Sequence, residues 1–86
     1  MFDLFLSGEA RRFCTRADRP LAKKLAHAFR ILEQDPRKHP NVKALSGVMA
    51  GHFRFRAGDY LIVYFVDEAA KAVHVIRIAH RSEAYR

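Results

Sequence analysis

The stretch from Tyr60 to Val66, YLIVYFV, is the longest apolar run in the chain. It is far short of the roughly 20 residues a membrane-spanning helix needs, so it reads as a buried strand, and no membrane association is expected. Everything else must be arranged to cover that strand. With 86 residues the chain has room for one domain and one core, and a domain this small buries only about 60% of the surface its unfolded chain exposes. Half of the residues are hydrophobic, among them seven Phe and three Tyr, so a core can form without disulfides or a structural metal. Cys14 is the only cysteine. A lone thiol fits a reducing cytosol better than a disulfide-stapled scaffold. The opening residues MFDLFLSGEARRF carry an early aspartate and no cationic leader, so a secretory signal is not expected and the protein is read as cytoplasmic.

Residues 2 to 7, FDLFLS, alternate weakly and end in Ser-Gly, which suggests a short strand followed by a helix start. The run EARRFCTR, Glu9 to Arg16, holds no breaker and reads as a short helix. Asp18 suits the cap of a second helix and Pro20 its first turn. In that helix Leu21, Leu25, Ala28, Phe29 and Leu32 make one apolar stripe, with Lys23, Lys24, His27 and Arg30 elsewhere as an expected solvated face. Pro36 and Pro40 bracket a loop that ends the helix. Beyond it come strand candidates at Val42 to Leu45, His52 to Arg56, Tyr60 to Val66 and Val73 to Ala79, separated by AGD and DEAAKA turns. The order β, α, α, then three or four β implies an α+β domain over residues 1–86, with the helix pair on one face of an antiparallel sheet.

Sixteen Lys and Arg against nine acidic residues give a net charge of +7 and a pI near 10.2, which favours polyanionic partners, nucleic acid first. Placement decides whether that charge has a use. Strand alternation sends Phe53 and Phe55 to one side and Arg54 and Arg56 to the other. Those arginines form either a solvated outer face or a platform for phosphate, which guanidinium groups bind bidentately at any workable pH. The last stretch, RIAHRSEAYR, adds His80, Arg81, Tyr85 and Arg86. Attack by a ribose 2′-hydroxyl on its own phosphodiester needs a base, fixed positive charge around the phosphorane and an acid for the leaving oxygen. His80 titrates nearest neutrality and suits either proton role. Tyr85 serves as base only where cations lower its pKa from about 10, and base stacking is its other use. Arg37, Lys38, His39 and Lys43 in and after the loop are either RNA contacts or a solvated loop. No CxxC or HExxH spacing, glycine-rich phosphate loop or nucleophile elbow is present, so neither metal nor cofactor is expected. Cys14, beside Phe13, reads as a packed small hydrophobe.

The segments VKALSG, GHFRFRAGDYLIVYFVD and VHVIRIAHRSEAY, in that order and spacing across essentially the whole chain, resemble the RelE/ParE superfamily of toxin–antitoxin toxins, closest to its RelE-like branch. The resemblance implies a helix hairpin on an antiparallel sheet and a metal-independent endoribonuclease that cuts messenger RNA in the ribosomal decoding site. It also implies a cognate antitoxin that blocks the cleft and carries the complex to operator DNA. The family's basic pair falls on Arg54 and Arg56, its later arginine on Arg81 and its C-terminal tyrosine on Tyr85; Lys43, Arg77, Arg86, Arg37 and Lys38 are the further RNA-binding candidates. One departure stands out: where members read GDYR this chain reads GDYL, so Leu61 replaces a cation that Arg77 or His80 would have to supply. Two alternatives share the fold, a ParE-like inhibitor of DNA gyrase and a catalytically weak homologue acting as antitoxin-bound co-repressor.

Overall fold

The computed structural model describes residues 1–84, so Tyr85 and Arg86 lie outside the described residues. Strand β1 (Asp3–Leu6) leads directly into helix α1 (Gly8–Arg16), followed by α2 (Arg19–Gln34). Both helix starts are set by side chains. Ser7 Oγ accepts from the Ala10 amide at 3.1 Å, and Asp18 Oδ1 accepts from the Leu21 amide at 3.0 Å, each satisfying one of the amides a first turn leaves free. α2 stops two residues before Pro36, whose carbonyl accepts the Tyr64 hydroxyl at 2.6 Å and so ties the loop to the sheet. Burial raises the Tyr64 pKa well above the ordinary phenol value.

Four more strands follow: β2 (Val42–Ala44), β3 (Phe53–Ala57), β4 (Tyr60–Asp67) and β5 (Ala72–His80), with a 3₁₀ turn at Gly47–Met49 before β3 and a short α3 (Arg81–Ala84) at the end. They form one sheet in the order β1-β5-β4-β3-β2. β2 to β5 are antiparallel neighbours, as the sequence implies, and β1 joins the far edge parallel to β5, the one parallel pair among the described residues of an otherwise antiparallel sheet. Parallel partners need a long connection between them, and here the helix pair and three strands intervene.

Both helices cover one face. Ala10 of α1 and Leu25, Ala28 and Leu32 of α2 pack on Phe55, Ala57, Ile62, Tyr64, Val73, Val75 and Ile78. YLIVYFV is central in the sheet, with Leu61, Ile62 and Tyr64 buried. β5 contains a bulge. Val63 pairs with Arg77 while Tyr64 pairs with Val75, so Ile76 is an extra residue, and such an insertion reverses which face the later residues occupy. Ser7 fastens this point, its hydroxyl donating to the Ile76 carbonyl at 2.8 Å and its amide to the Val75 carbonyl at 2.8 Å.

Candidate nucleic-acid interface

Because directly paired residues share a face, the strand register gives the layout of the sheet's helix-free side. Phe55 and Ala57 are buried under the helices, so Arg54 and Arg56 project the other way. Lys43 is paired with Arg54, Arg54 with Val63, and Val63 with Arg77, so three cations and a valine make one row across four strands. In the next row Arg56 is opposite Leu61, and Leu61 opposite Ala79. Lys43, Arg54 and Arg56, with Pro40, Asn41 and Val42, line a groove of about 310 Å³ at the β2–β3 edge.

The Gly58-Asp59 turn gathers the cations at the end of this face. Arg56 Nε donates to the Gly58 carbonyl at 3.2 Å, and the Arg81 amide donates to the Asp59 carbonyl at 2.8 Å. Arg81 Nε also lies 3.8 Å from Asp59 Oδ1, in an exposed pair that costs little to exchange for a phosphate. Gly58 has φ +63°, a conformation glycine takes freely, and so lets the chain turn tightly between β3 and β4.

The remaining sequence candidates divide. Arg77 belongs to the cation row by register, while its Nε lies 3.7 Å from Glu9 Oε2. Arg37 is turned elsewhere: it is ion-paired with Glu68 and stacks 5.8 Å over the Phe53 ring. Its neighbour Lys38 is exposed in the same loop, where the Lys38 and Arg37 amides donate to Asp35 and hold that carboxyl below its usual pKa. His80 is not brought to the arginine face. It is the pairing partner of Tyr60, which follows the helix-covered side and meets Phe13 of α1 edge-on at 5.7 Å. The His80 ring stands perpendicular to Tyr60 at 5.2 Å, and its Nδ1 accepts from the Ser82 amide at 3.2 Å. Tyr85 and Arg86 lie outside the described residues. Cys14 is half-buried among the core's edge residues, and burial raises its thiol pKa, as befits a packing residue.

One feature of this face escaped sequence reasoning. Beside the cation row runs an aromatic one: His52 edge-on to Phe65 at 5.6 Å, Phe65 stacked on His74 at 4.8 Å, and His74 stacked on Phe5 at 5.4 Å. Phe5, on the edge strand, is 52% exposed. Two residues along a strand separate the rows, about 7 Å. Cations beside flat rings are the parts from which single-stranded nucleic acid sites are built, phosphate on one and base on the other. The signal was present as Phe5, His74 and Phe65, but pairing three distant segments requires the register. Among the described residues, no helix is long and apolar enough to cross a membrane.

Comparison with known proteins places this geometry. Residues 5–85 match the family model of the ParE toxin of type II toxin–antitoxin system, parDE. Toxin RelG of Mycobacterium tuberculosis (strain ATCC 25618 / H37Rv) is 34% identical over 68 residues, covering 79% of this chain and 76% of that protein. A chain of the toxin–antitoxin complex RelBE2 from Mycobacterium tuberculosis superposes with a TM-score of 0.79 at 30% identity, over 93% of this chain and 98% of that one. The archaeal RelE–RelB complex from Pyrococcus horikoshii OT3 gives a chain with a TM-score of 0.81 at 20% identity, over 95% and 97% of the two chains, a likeness of fold. With a family-model match across residues 5–85, a relative 34% identical and a shared fold, the chain belongs to the RelE/ParE superfamily of toxins of type II toxin–antitoxin systems.

Proposed function

We propose that the protein is a ribosome-dependent messenger RNA endoribonuclease that inhibits translation and is neutralised by a cognate antitoxin. The observation that carries this reading is the convergence of Lys43, Arg54 and Arg56 in one groove, with Arg81 tethered to the turn that also holds Arg56. In the proposed reaction the 2′-oxygen loses its proton and bonds to phosphorus, the bond from phosphorus to the 5′-oxygen breaks, and the leaving oxygen takes up a proton. A cyclic phosphate and a free 5′-hydroxyl result. Arg54, Arg56 and Arg81 hold the phosphate and neutralise the charge that grows on its oxygens, where fixed cations stabilise the transition state more than the ground state. Proton transfer falls to Tyr85, the position that matches the family's C-terminal tyrosine. His80 acts as a positioning residue, anchoring the start of α3 through Ser82. The ribosome supplies the orientation of message that so open a face lacks. A cognate antitoxin as partner is supported by the toxin–antitoxin complexes that RelBE2 and the archaeal RelE–RelB pair form; here it would cover the cation face, and operator DNA would be reached through that complex.

The test is induction of the chain in a bacterium, with message 5′ ends mapped with and without translation. Cuts confined to translated regions, lost with Arg81→Ala in a folded protein, are expected. Equal toxicity of folded Arg81→Ala would reject the reading. The match to the ParE toxin family model favours a second one, inhibition of DNA gyrase; DNA-damage signalling with intact messages would identify it.

A further inference from the structure

On the other side of the β3 edge from the cation groove lies a second basic pocket, of about 220 Å³, formed where α2, the loop before β2 and β3 meet. Its polar lining is Lys24 and His27 from α2, His39 and Asn41 from the loop, and Arg56 from β3. No carboxylate lines it, and Ala28, Ile31, Phe55 and Ala57 make an apolar floor. An anion in such a place meets four basic side chains over a low-dielectric base, which strengthens each attraction.

Several of these groups are held in place before anything binds. His39 lies over Phe55 with ring centroids 5.2 Å apart, and its Nδ1 accepts from the Asn41 amide at 3.1 Å. With Nδ1 accepting, the neutral ring carries its proton on Nε2, as a donor. Lys24 is laid across Gly58, so closely that a β-carbon there would stand 2.7 Å from Nζ. Arg56 spends Nε on the Gly58 carbonyl, leaving its terminal amino groups. Arg56 and Asn41 line both this pocket and the Lys43–Arg54 groove. β2 pairs with β3 only over Phe53 to Phe55; at Arg56 the edge is met by Asn41 instead, whose carbonyl accepts the Arg56 amide at 3.0 Å and whose Nδ2 donates to the Arg56 carbonyl at 2.9 Å, so the two cavities adjoin across this pair of residues.

We infer that this pocket binds a second phosphate of the same single-stranded RNA, which crosses the β3 edge at Arg56 from the Lys43–Arg54 groove to Lys24, His27 and His39. The inference rests on the RNA reading above and adds a path to it: the strand is gripped on both sides of β3. The pocket's basic side chains come from three segments far apart in sequence, so a solvated helix face and a basic loop become a single site only in the fold.

The test uses the full chain and labelled oligoribonucleotides from a trinucleotide upward, bound to wild type, to the double variant Lys24→Gln/His27→Gln, and to Arg54→Gln. Lys24 and His27 are exposed on α2, and an unchanged circular dichroism spectrum confirms that the double variant folds. Wild type should gain affinity as the RNA lengthens past the groove. The double variant should match it on the trinucleotide, fall about 10-fold behind on longer RNA, and show a salt slope shallower by about 0.7, the share of one phosphate on a single strand. Inorganic phosphate should weaken short and long RNA alike in the double variant, through the groove, and in wild type should in addition remove the gain with length. A double variant equal to wild type at every length, beside a weakened Arg54→Gln, would overturn the second site and leave the RNA reading standing. Wild type binding no RNA of any length would overturn both.

Discussion

Leu61 is where residue chemistry and family pattern part. Register puts it between Arg56 and Ala79 on the cation face, yet it is only 4% exposed and lies outside the main core cluster. A leucine there leaves an apolar gap among the groups that would meet a phosphate. Leu61→Arg should restore a cation, because a long side chain can lie along the surface and keep its head in water. If it recovers about 1.4 kcal/mol of transition-state stabilisation, cleavage of translated messages rises about tenfold. Primer-extension yields at a fixed level of folded protein measure this. Unchanged yield would mean that Arg56 and Arg81 already saturate the phosphate. The sequence exposed this position at once, since GDYL needs no register to be read; that the leucine is buried does not follow from it.

At the scale of elements, helices and strands were legible because their periods are local, whereas the faces of β5 were not. Strict alternation from Val73 would send Arg77 to the core and His80 outward. The extra residue at Ile76 reverses both, so Arg77 joins the cations and His80 turns to Tyr60. A bulge of this kind is fixed by a partner elsewhere, here Ser7, sixty-nine residues away from Ile76. Ser7→Ala removes the α1 cap and the bond to the bulge together, and should cost about 1–2 kcal/mol. Thermal melts should fall by roughly 4–8 °C for each kcal/mol in a domain of this size. The loop after α2 offers a second measure. Tyr64 holds Pro36 through a buried hydroxyl whose pKa burial raises. The folded state thus favours the protonated phenol, a contribution fully present below about pH 10 and lost as pH rises toward the group's own higher value. Tyr64→Phe should lower stability near neutrality by about 1–2 kcal/mol and show a flatter alkaline decline than wild type in urea titrations.

For the molecule as a whole, the question is whether its net charge of +7 acts as a diffuse field or through a placed few. Arg37 and Arg77 have acidic neighbours, and Arg30 is exposed on the outer side of α2. Lys43, Arg54 and Arg56 instead share one groove. A diffuse field makes every cation equivalent, since long-range steering depends on total charge and is screened within about 10 Å at ordinary salt. A placed set makes them unequal, because only cations that neutralise a phosphate release counterions. Arg54→Ala and Arg30→Ala change the net charge equally, and so separate the two cases. For single-stranded RNA, Arg54→Ala should weaken binding about 10-fold and reduce the slope of log affinity against log salt by about 0.7. Arg30→Ala should leave both near wild type. Equal losses in the two variants would assign binding to the overall charge, and the cation groove would then have no more claim on RNA than any other basic surface of the domain.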